Sequence, residues 1–444
     1  MLEWLKREIS SLDGYFRHLR QTIYATFLRI LSTGMTLLFA ILCARLMGEK
    51  IFGTYVTLFS LAGVISVATS VGLPGLFQRE MAASRSTRDR SYVVPIAQWL
   101  LLITAALLVA TIGSFFMAQP EIGLMILFCL FAQLGAFVNS LFLAYERVVL
   151  VSFFEGVLRP ASALLALVVL SAALVPSPLI PLGAQVLGVG IAGGSLLLFW
   201  RGEPLSRSLR ALRHRWWSEH HSPVAKASVT FAITQVLVNL TFQADVLILS
   251  YNLAPEEVGY YYAAIRACLV INFFFGASAL IAEPTLTRLH ADGATAEFQM
   301  LAARTAMIGA FVTILAAIVA TILAPWYLGI YGPAFTVAFP SFCVVAAGLA
   351  IQSLFGPSAS ILRAVRGEQS LLKITAMVLV VNCAITGALV PFMGMLGAAI
   401  GTAAQFVIYG VLLARACKSS DGGYRSGIFY PLGRRLQLSC SSRP

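Results

Sequence analysis

Twelve separate stretches of this 444-residue chain are almost purely apolar, and each is long enough to cross a lipid bilayer. A membrane-spanning helix needs about 20 such residues. The stretches are 24–46, 51–77, 92–117, 121–145, 148–175, 178–200, 225–251, 257–283, 300–327, 334–358, 370–393 and 396–417. Because backbone groups in lipid must bond to one another, and because these apolar residues do not alternate with polar ones, we predict helices rather than β-strands. Some joins are very short, which leaves counts of eleven or thirteen open.

Composition supports a membrane protein and excludes the main soluble classes. Hydrophobic residues make up 59% of the chain and charged residues 11%, whereas soluble domains carry about 25% charged residues. An ordinary soluble enzyme, a disordered chain and a secreted disulfide scaffold are therefore excluded. The predicted fold class is an all-α polytopic membrane protein with about twelve transmembrane helices.

The basic residues indicate how the chain is oriented. Lys and Arg number 31 against 19 Asp and Glu, which gives a net charge of +12. With twelve spans, both termini face the same side of the membrane. Apart from three arginines inside spans, Arg45 and Lys50 are the only basic residues of the sequence on the opposite side. Because Lys and Arg of short loops stay in the cytoplasm, both termini are predicted to be cytoplasmic. The excess charge is then assigned to anionic lipids, not to nucleic acid. All five histidines share that side, which predicts no metal site within the spans.

The pattern divides the chain into five segments. Residues 1–23 place apolar and basic positions at helical spacing, which predicts an amphipathic helix at the membrane interface. Two six-helix bundles, 24–200 and 225–417, are joined by a cytoplasmic linker, 201–224, that contains a second amphipathic helix. Residues 418–444 form a polar cytoplasmic tail.

Glycines repeat between the two predicted bundles at offsets of 206 or 207 residues, which indicates an internal duplication. The last two pairs make up one GxxxG pattern in each bundle, a spacing that permits close helix packing. The matched pairs are Gly53 with Gly259, Gly190 with Gly397, and Gly194 with Gly401.

Ionisable residues inside the spans are candidates for function, since each costs about 2.5–3.5 kcal/mol to insert. They are Arg29, Glu155, Arg159, Asp245, Arg266 and, near the end of a span, Glu283. Arginine keeps its charge in the membrane and offers a planar set of donors suited to phosphate or carboxylate. Two interpretations are open for Arg29, Arg159 and Arg266: they line a polar cavity for an anionic substrate, or each neutralises one buried acid.

Glu155 and Arg159 are four residues apart, so they share a helix face and are predicted to pair. Pro160 follows and is predicted to bend the helix, because it lacks a backbone donor. The pair is either an internal ion pair that lets a slightly polar helix insert, or part of a polar stripe that faces the cavity.

Asp245 follows a polar ridge formed by Gln235, Asn239 and Gln243 and lies roughly 120° around the helix from the middle of that ridge. A carboxyl group in a span can exchange a proton or hold a cation, which makes Asp245 a candidate for ion coupling. The competing interpretation is a structural partner for Arg266 or Arg29.

No Walker loop, no glycine-rich nucleotide cradle and no soluble domain that could hydrolyse ATP is present in the sequence. A transporter of this kind is predicted to use no cofactor. Its driving force is an H⁺ or Na⁺ gradient, the gradient of its substrate, or the membrane potential.

Four segments carry a resemblance to a known family. They are LMGEKIFGTY at 46–55, VGLPGLFQREMA at 71–82, ADVLILSYNLAPEEVGYYYAAIRACLVI from Ala244, and GMLGAAIGTAAQF from Gly394. Together they resemble the polysaccharide exporters, the Wzx-type flippases of O-antigen and exopolysaccharide synthesis. Their superfamily also holds MATE drug exporters and lipid II flippases. The resemblance covers nearly the whole chain and includes no catalytic signature.

The resemblance implies two pseudo-symmetric six-helix bundles around a central cavity. It implies a flippase that moves an undecaprenyl-diphosphate-linked oligosaccharide across a bacterial inner membrane by alternating access, with polysaccharide assembly proteins as further partners. Arg29, Arg159 and Arg266 match the cationic lumen expected for a diphosphate. Asp245 stands at the Asp of the family's span-seven pattern, which implies ion coupling or gating, and Glu155 is the second candidate for that role.

Two other functions stay open. A cation-coupled multidrug exporter of the MATE type is expected to have an acidic lumen, so the arginines favour the flippase. A membrane-embedded polysaccharide polymerase or ligase needs a large external loop with acceptor chemistry, whereas the predicted external loops are short.

Overall fold

The computed structural model describes residues 24, 27–87, 93–117, 119–199, 221–365, 367–419 and 427. These residues form helices and turns, with no β-strand among them. The amphipathic helix predicted for 1–23, most of the linker 201–224 and most of the tail 418–444 lie outside the described residues.

The described ranges contain fourteen helices, which we number in chain order. They are α1 (Phe27–Met47), α2 (Glu49–Thr69), α3 (Leu73–Thr87), α4 (Val93–Phe116), α5 (Pro120–Ala144), α6 (Val148–Ala173), α7 (Leu179–Leu198), α8 (His221–Asn252), α9 (Pro255–Ala291), α10 (Thr295–Tyr331), α11 (Phe339–Ser353), α12 (Ser358–Ala364), α13 (Glu368–Met393) and α14 (Met395–Ser419). A 3₁₀ turn, Pro333–Ala338, precedes α11.

Eleven segments of the described chain are long and apolar enough to cross a membrane. They coincide with eleven of the twelve predicted stretches, so the predicted all-α polytopic membrane fold is confirmed. The twelfth stretch, 257–283, is also helical and forms the middle of α9.

One face of α10 shows why these helices need a bilayer. Ile308, Phe311, Leu315, Ile318 and Ile322 are all exposed and recur every three or four residues, so they form one apolar stripe. An apolar stripe of this length is unfavourable in water and suits the acyl chains of lipids.

The second predicted span, 51–77, is shorter than expected. Its helix ends at Thr69, because Val71 and Gly72 adopt φ angles of 48° and 68° that no helix contains. Pro74 then stands in the first turn of α3, where its missing backbone donor has no cost. The VGLPG motif is thus a turn between two helices, and Ser228 of α8 donates a hydrogen bond to the backbone oxygen of Val71.

The chain divides into two compact units. The first comprises the described residues of Met1–Ile51 and Leu58–Asn239, and the second those of Phe52–Thr57 and Leu240–Pro444. The boundary at Asn239 and Leu240 lies inside α8, so this helix contributes to both units.

Two glycines of α7 pack closely, but they are not the pair predicted from the GxxxG spacing. A Cβ atom at Gly188 would lie 2.8 Å from the backbone oxygen of Arg159, and one at Gly193 would lie 3.4 Å from Gly135. No atom of the described residues would lie within 4 Å of a Cβ at Gly194, and among the same residues a Cβ at Gly190 would meet only the ring of Phe131, at ordinary contact distance. The GxxxG spacing permits close packing at Gly190 and Gly194, but the closest approaches of α7 to the described residues are at Gly188 and Gly193.

Substitution of these glycines by alanine tests the corrected packing. Gly188→Ala is expected to destabilise the protein by about 1–3 kcal/mol, since the added methyl group meets backbone and cannot be relieved by a rotamer change. Gly194→Ala is expected to keep or slightly raise stability, because alanine favours a helix by about 1 kcal/mol over glycine. Thermal unfolding of the purified variants in one detergent measures both, and equal unfolding temperatures for them would contradict the assignment.

The glycines of the second GxxxG pattern, Gly397 and Gly401, are closely packed, and so are Gly53 and Gly259. A Cβ atom at Gly401 would overlap the hydroxyl of Thr386, and one at Gly397 would lie 2.6 Å from the backbone of Leu389, so α13 and α14 pack closely as expected. Gly53 and Gly259, in the second turns of α2 and α9, approach each other directly: a Cβ at Gly259 would lie 3.4 Å from the Cα of Gly53.

Candidate functional site

The carboxyl group of Asp245 lies fully inside the second unit, with 4% of the residue exposed. Tyr261 donates a hydrogen bond of 2.7 Å to Oδ2, and Thr402 donates one of 3.1 Å to the same oxygen. The backbone N–H of Val246 donates to Oδ1 at 2.8 Å. Both oxygens of Asp245 are thus bonded to neutral groups.

The short join between α8 and α9 explains how Tyr261 reaches Asp245. Helix α8 ends at Asn252, and α9 begins at Pro255, which is favoured in the first turn of a helix. The two helices therefore run back along each other and place Tyr261 beside Asp245. Thr402 comes from α14, one residue after Gly401, where the lack of a side chain lets α13 approach.

A second set of hydrogen bonds, among amides and hydroxyls, involves the same helices α8 and α14. Gln405 of α14 donates to the backbone oxygen of Thr241 at 3.2 Å and accepts a hydrogen bond from the amide of Asn382. Thr386 in turn donates to the other atom of the Asn382 amide, its Oδ1, at 2.9 Å. These bonds join α8, α13 and α14 within the second unit.

Arg266 and Asp245 line the same cavity but do not form an ion pair. The cavity measures about 280 Å³ and lies within the second unit. The guanidinium of Arg266 stacks on the ring of Tyr262, 4.4 Å from its centre. Asp245 and Arg266 thus lie near each other without a direct ion pair, and both oxygens of Asp245 are bonded to other groups.

The cavity wall combines polar groups with flat apolar surfaces. Three of its residues, Gln243, Asn272 and Gln405, carry amides, and Thr241 and Thr402 carry hydroxyls. The apolar part of the wall includes Phe242, Phe406, Val345 and Leu349. Arg266 and Asp245 are the two charged residues among those that line it, and their charges are opposite.

Glu155 and Arg159 form the predicted ion pair in the first unit. The guanidinium of Arg159 lies 3.2 Å from Oε2 of Glu155, and the amide of Asn139 donates to Oε1 at 2.8 Å. The side chains of Glu155 and Arg159 keep 23% and 32% of their surface exposed. The pair is therefore partly open to its surroundings rather than sealed in the core.

The helix is irregular where this pair lies. Residues Phe154–Leu158 form a π-helical turn inside α6, immediately before Arg159 and Pro160. Proline cannot donate the backbone hydrogen bond that a regular α-helix needs at this position, which favours the wider turn. Where Pro160 predicts a bend, the helix thus contains a π turn. Such turns are frequent at functional sites in helices.

Arg29 lies on α1 in the first unit and is exposed. Its helix runs close to the π turn, since Gly156 lies next to Leu28 and Ser32. Arg29 nevertheless forms no ion pair with any described residue. The three predicted arginines are thus in three settings: Arg29 is exposed, Arg159 is paired and Arg266 is stacked on a tyrosine.

Glu283, near the end of its predicted span, contributes to a separate cluster in the second unit. Arg363 of α12 donates to both oxygens of Glu283, at 2.8 and 2.7 Å, and Ser360 donates to one of them at 2.8 Å. This bidentate pair fixes the short helix α12 to α9 and lies outside the cavity wall.

Tyr261, Thr402, Gln405 and Asn272 belong to the site and were not predicted from the sequence. The motifs around Ala244 and Gly394 contain three of them, so the family resemblance marks the right segments. Hydroxyl and amide residues are common in membrane helices, where they often join helices to one another. Their spacing alone therefore gave no reason to select these four.

Comparison with known proteins identifies a sequence family. Residues 18–290 match the family described as "Polysaccharide biosynthesis protein". No curated protein sequence matches the chain.

Solved transporter structures have the same fold. The lipid II flippase MurJ, in an inward closed conformation, matches with a TM-score of 0.70 and 13% identity over 96% of this chain and 93% of that chain. An inward-facing multidrug resistance MATE family transporter of the MOP superfamily matches with a TM-score of 0.64 and 12% identity over 94% and 100%. A MATE transporter from Vibrio cholerae matches with a TM-score of 0.60 and 13% identity over 91% and 98%. At these identities the likeness concerns the fold alone.

Proposed function

Because the chain belongs to the family of polysaccharide biosynthesis proteins, we propose that it is a flippase for undecaprenyl-diphosphate-linked oligosaccharide repeat units. It moves them from the inner to the outer leaflet of the plasma membrane, where surface polysaccharide is assembled. In this role the protein is a transporter and not an enzyme. The fold shared with a lipid II flippase supports the proposal.

The observation that carries the proposal is the polar cavity of the second unit. Its wall includes residues of α8, α11 and α14, all of which are long and apolar enough to cross the membrane. Amide, hydroxyl and carboxyl groups inside such helices are costly unless they serve a polar ligand or one another. A transporter of a polar headgroup needs groups of this kind at membrane depth.

The charged residues then take distinct roles. Arg29, Arg159 and Arg266 contact the substrate during its passage, since guanidinium groups suit phosphate oxygens and sugar hydroxyls. Asp245 is the candidate for coupling to an H⁺ or Na⁺ gradient. Glu155, held in the π turn with Arg159, is a candidate for gating.

The distribution of basic residues supports a bacterial inner-membrane location with both termini in the cytoplasm. Anionic lipids on that face are the expected partners of the basic loops. Polysaccharide assembly proteins are proposed partners on the same membrane.

Loss of the arginines is expected to reduce transport. Arg159→Ala and Arg266→Ala are each expected to lower the flipping rate about tenfold, because a hydrogen bond from a charged donor contributes about 1.5–3 kcal/mol. The measurement is flipping of undecaprenyl-diphosphate-linked oligosaccharide in proteoliposomes, together with surface polysaccharide in cells that depend on the protein. Both variants are expected to remain in the membrane.

Arg304→Ala is the control, since Arg304 is exposed on α10 and does not line the cavity. If Arg266→Ala in the cavity and Arg159→Ala in the ion pair both transport at the wild-type rate, that result would contradict the substrate role of these arginines. Export of cationic dyes by the wild-type protein, without flipping of the lipid-linked oligosaccharide, would instead identify a multidrug exporter.

A further inference from the structure

The lining of the cavity in the second unit is electrically balanced. Asp245 and Arg266 are its two charged residues, and they carry opposite charges. A diphosphate is bound best by several cations or bidentate arginines. Here the single guanidinium shares the wall with a buried carboxyl group, which would repel phosphate oxygens if ionised. The cavity is therefore poorly suited to the diphosphate end of the substrate.

Several polar groups of the wall have no partner. Oε1 of Gln243 is buried and accepts no hydrogen bond from the described residues. The guanidinium of Arg266 and the amide of Asn272 likewise form no hydrogen bond with any residue that the structure describes. A buried acceptor without a partner is unfavourable. Gln243 on α8 and Arg266 and Asn272 on α9 line one cavity, which indicates that a polar ligand completes them.

The same wall offers flat surfaces and a fixed donor. Arg266 is immobilised on the ring of Tyr262, so its donors are held in one plane. Phe242 and Phe406 add aromatic surface. Amides can donate and accept at once, as sugar hydroxyls do, and apolar faces pack against the C–H face of a pyranose ring.

The size of the cavity limits its ligand. At about 280 Å³ it lies just below the range of roughly 300–1,000 Å³ that is typical of sites for drug-sized ligands. It therefore accommodates one ring rather than a whole repeat unit.

We propose that this cavity is a subsite for a single uncharged sugar residue of the transported glycan, bound by Gln243, Arg266 and Asn272. The inference rests on the proposed flippase function and specifies which end of the substrate the second unit recognises. The sugar hydroxyls supply the hydrogen-bond partners that the three side chains lack.

Binding of two lipids to the protein in nanodiscs tests the subsite. The probes are the undecaprenyl-diphosphate-linked oligosaccharide extracted from cells that produce the protein, and undecaprenyl diphosphate without sugar. Gln243→Leu and Asn272→Leu are each expected to weaken binding of the first probe about tenfold, the equivalent of one to two hydrogen bonds, and to leave binding of the second unchanged.

Gln352→Leu is the matched control, because Gln352 also has a buried, unpartnered Oε1 but does not line the cavity. It is expected to leave both affinities unchanged. Weakening of both probes to the same degree would place the diphosphate in the cavity and overturn the inference. Unchanged binding of both probes by both variants would also overturn it. If the wild-type protein binds neither lipid, the flippase function itself fails.

Discussion

Gly53→Ala is expected to prevent the protein from reaching its folded state. A Cβ atom at Gly53 would overlap the backbone oxygen and the carbonyl carbon of Pro255. Those atoms belong to the first turn of α9, so no change of rotamer can make room for the methyl group. Overpacking against side chains costs about 1–3 kcal/mol, and overlap with a helix backbone costs more.

The measurement is the yield of monodisperse protein after extraction in detergent, followed by thermal unfolding of any protein recovered. Gly387→Ala is the control, because Gly387 lies in the interior of α13 and no described residue has an atom within 4 Å of the place that its methyl group would take. It is expected to be obtained in wild-type amounts with an equal or higher unfolding temperature. A stable, monodisperse Gly53→Ala protein would show that α2 and α9 do not approach as described.

The same contact explains what the sequence repeat means. Gly53 and Gly259 stand out in the sequence only because they are 206 residues apart in similar surroundings. In the structure each lies in the second turn of its helix, and the two glycines touch each other. The repeat therefore marks two positions, Gly53 and Gly259, that are in contact, which their spacing in the sequence alone could not show.

Helices were predictable because their signal is local, whereas their contacts depend on distant partners. Apolar length identifies a spanning segment without any knowledge of its neighbours. The end of α2 and the packing face of α7 could not be predicted from apolar length. Val71 adopts a positive φ angle just after α2 ends. On α7, Gly188 and not Gly190 makes the close contact with a neighbouring helix. A GxxxG spacing shows that one face is small but not that another helix covers it.

The candidate site was predictable in part for the same reason. Asp245 and Arg266 stand out because ionisable groups are rare in membrane helices, and Glu155 and Arg159 because their spacing fixes a shared face. Tyr261 and Thr402 reach Asp245 from 16 and 157 residues away. No periodicity within one helix can reveal that meeting.

Asp245→Asn is expected to abolish coupling of transport to an ion gradient while leaving the fold intact. In the variant Oδ1 can still accept the hydrogen bond from Val246, and Nδ2 can donate to the hydroxyl oxygens of Tyr261 and Thr402, which also act as acceptors. The substitution thus keeps every neighbour bonded and removes only the group that can exchange a proton or hold a cation. Under an imposed gradient, we expect the flipping rate of the variant to be lower than that of the wild type by about tenfold or more. A tenfold change corresponds to about 1.4 kcal/mol in activation free energy.

Proteoliposomes with imposed H⁺ or Na⁺ gradients separate this role from a structural one. The wild-type flipping rate is expected to rise with one of the two gradients, and the Asp245→Asn rate to respond to neither. Glu283→Gln makes the same change of carboxylate to amide outside the cavity; it weakens the bidentate pair with Arg363 and is expected to keep the gradient response. Because the amide preserves the hydrogen bonds at Asp245, a purely structural carboxyl group predicts a variant that transports like wild type. That result would remove Asp245 from coupling and leave it as the residue that joins α8, α9 and α14.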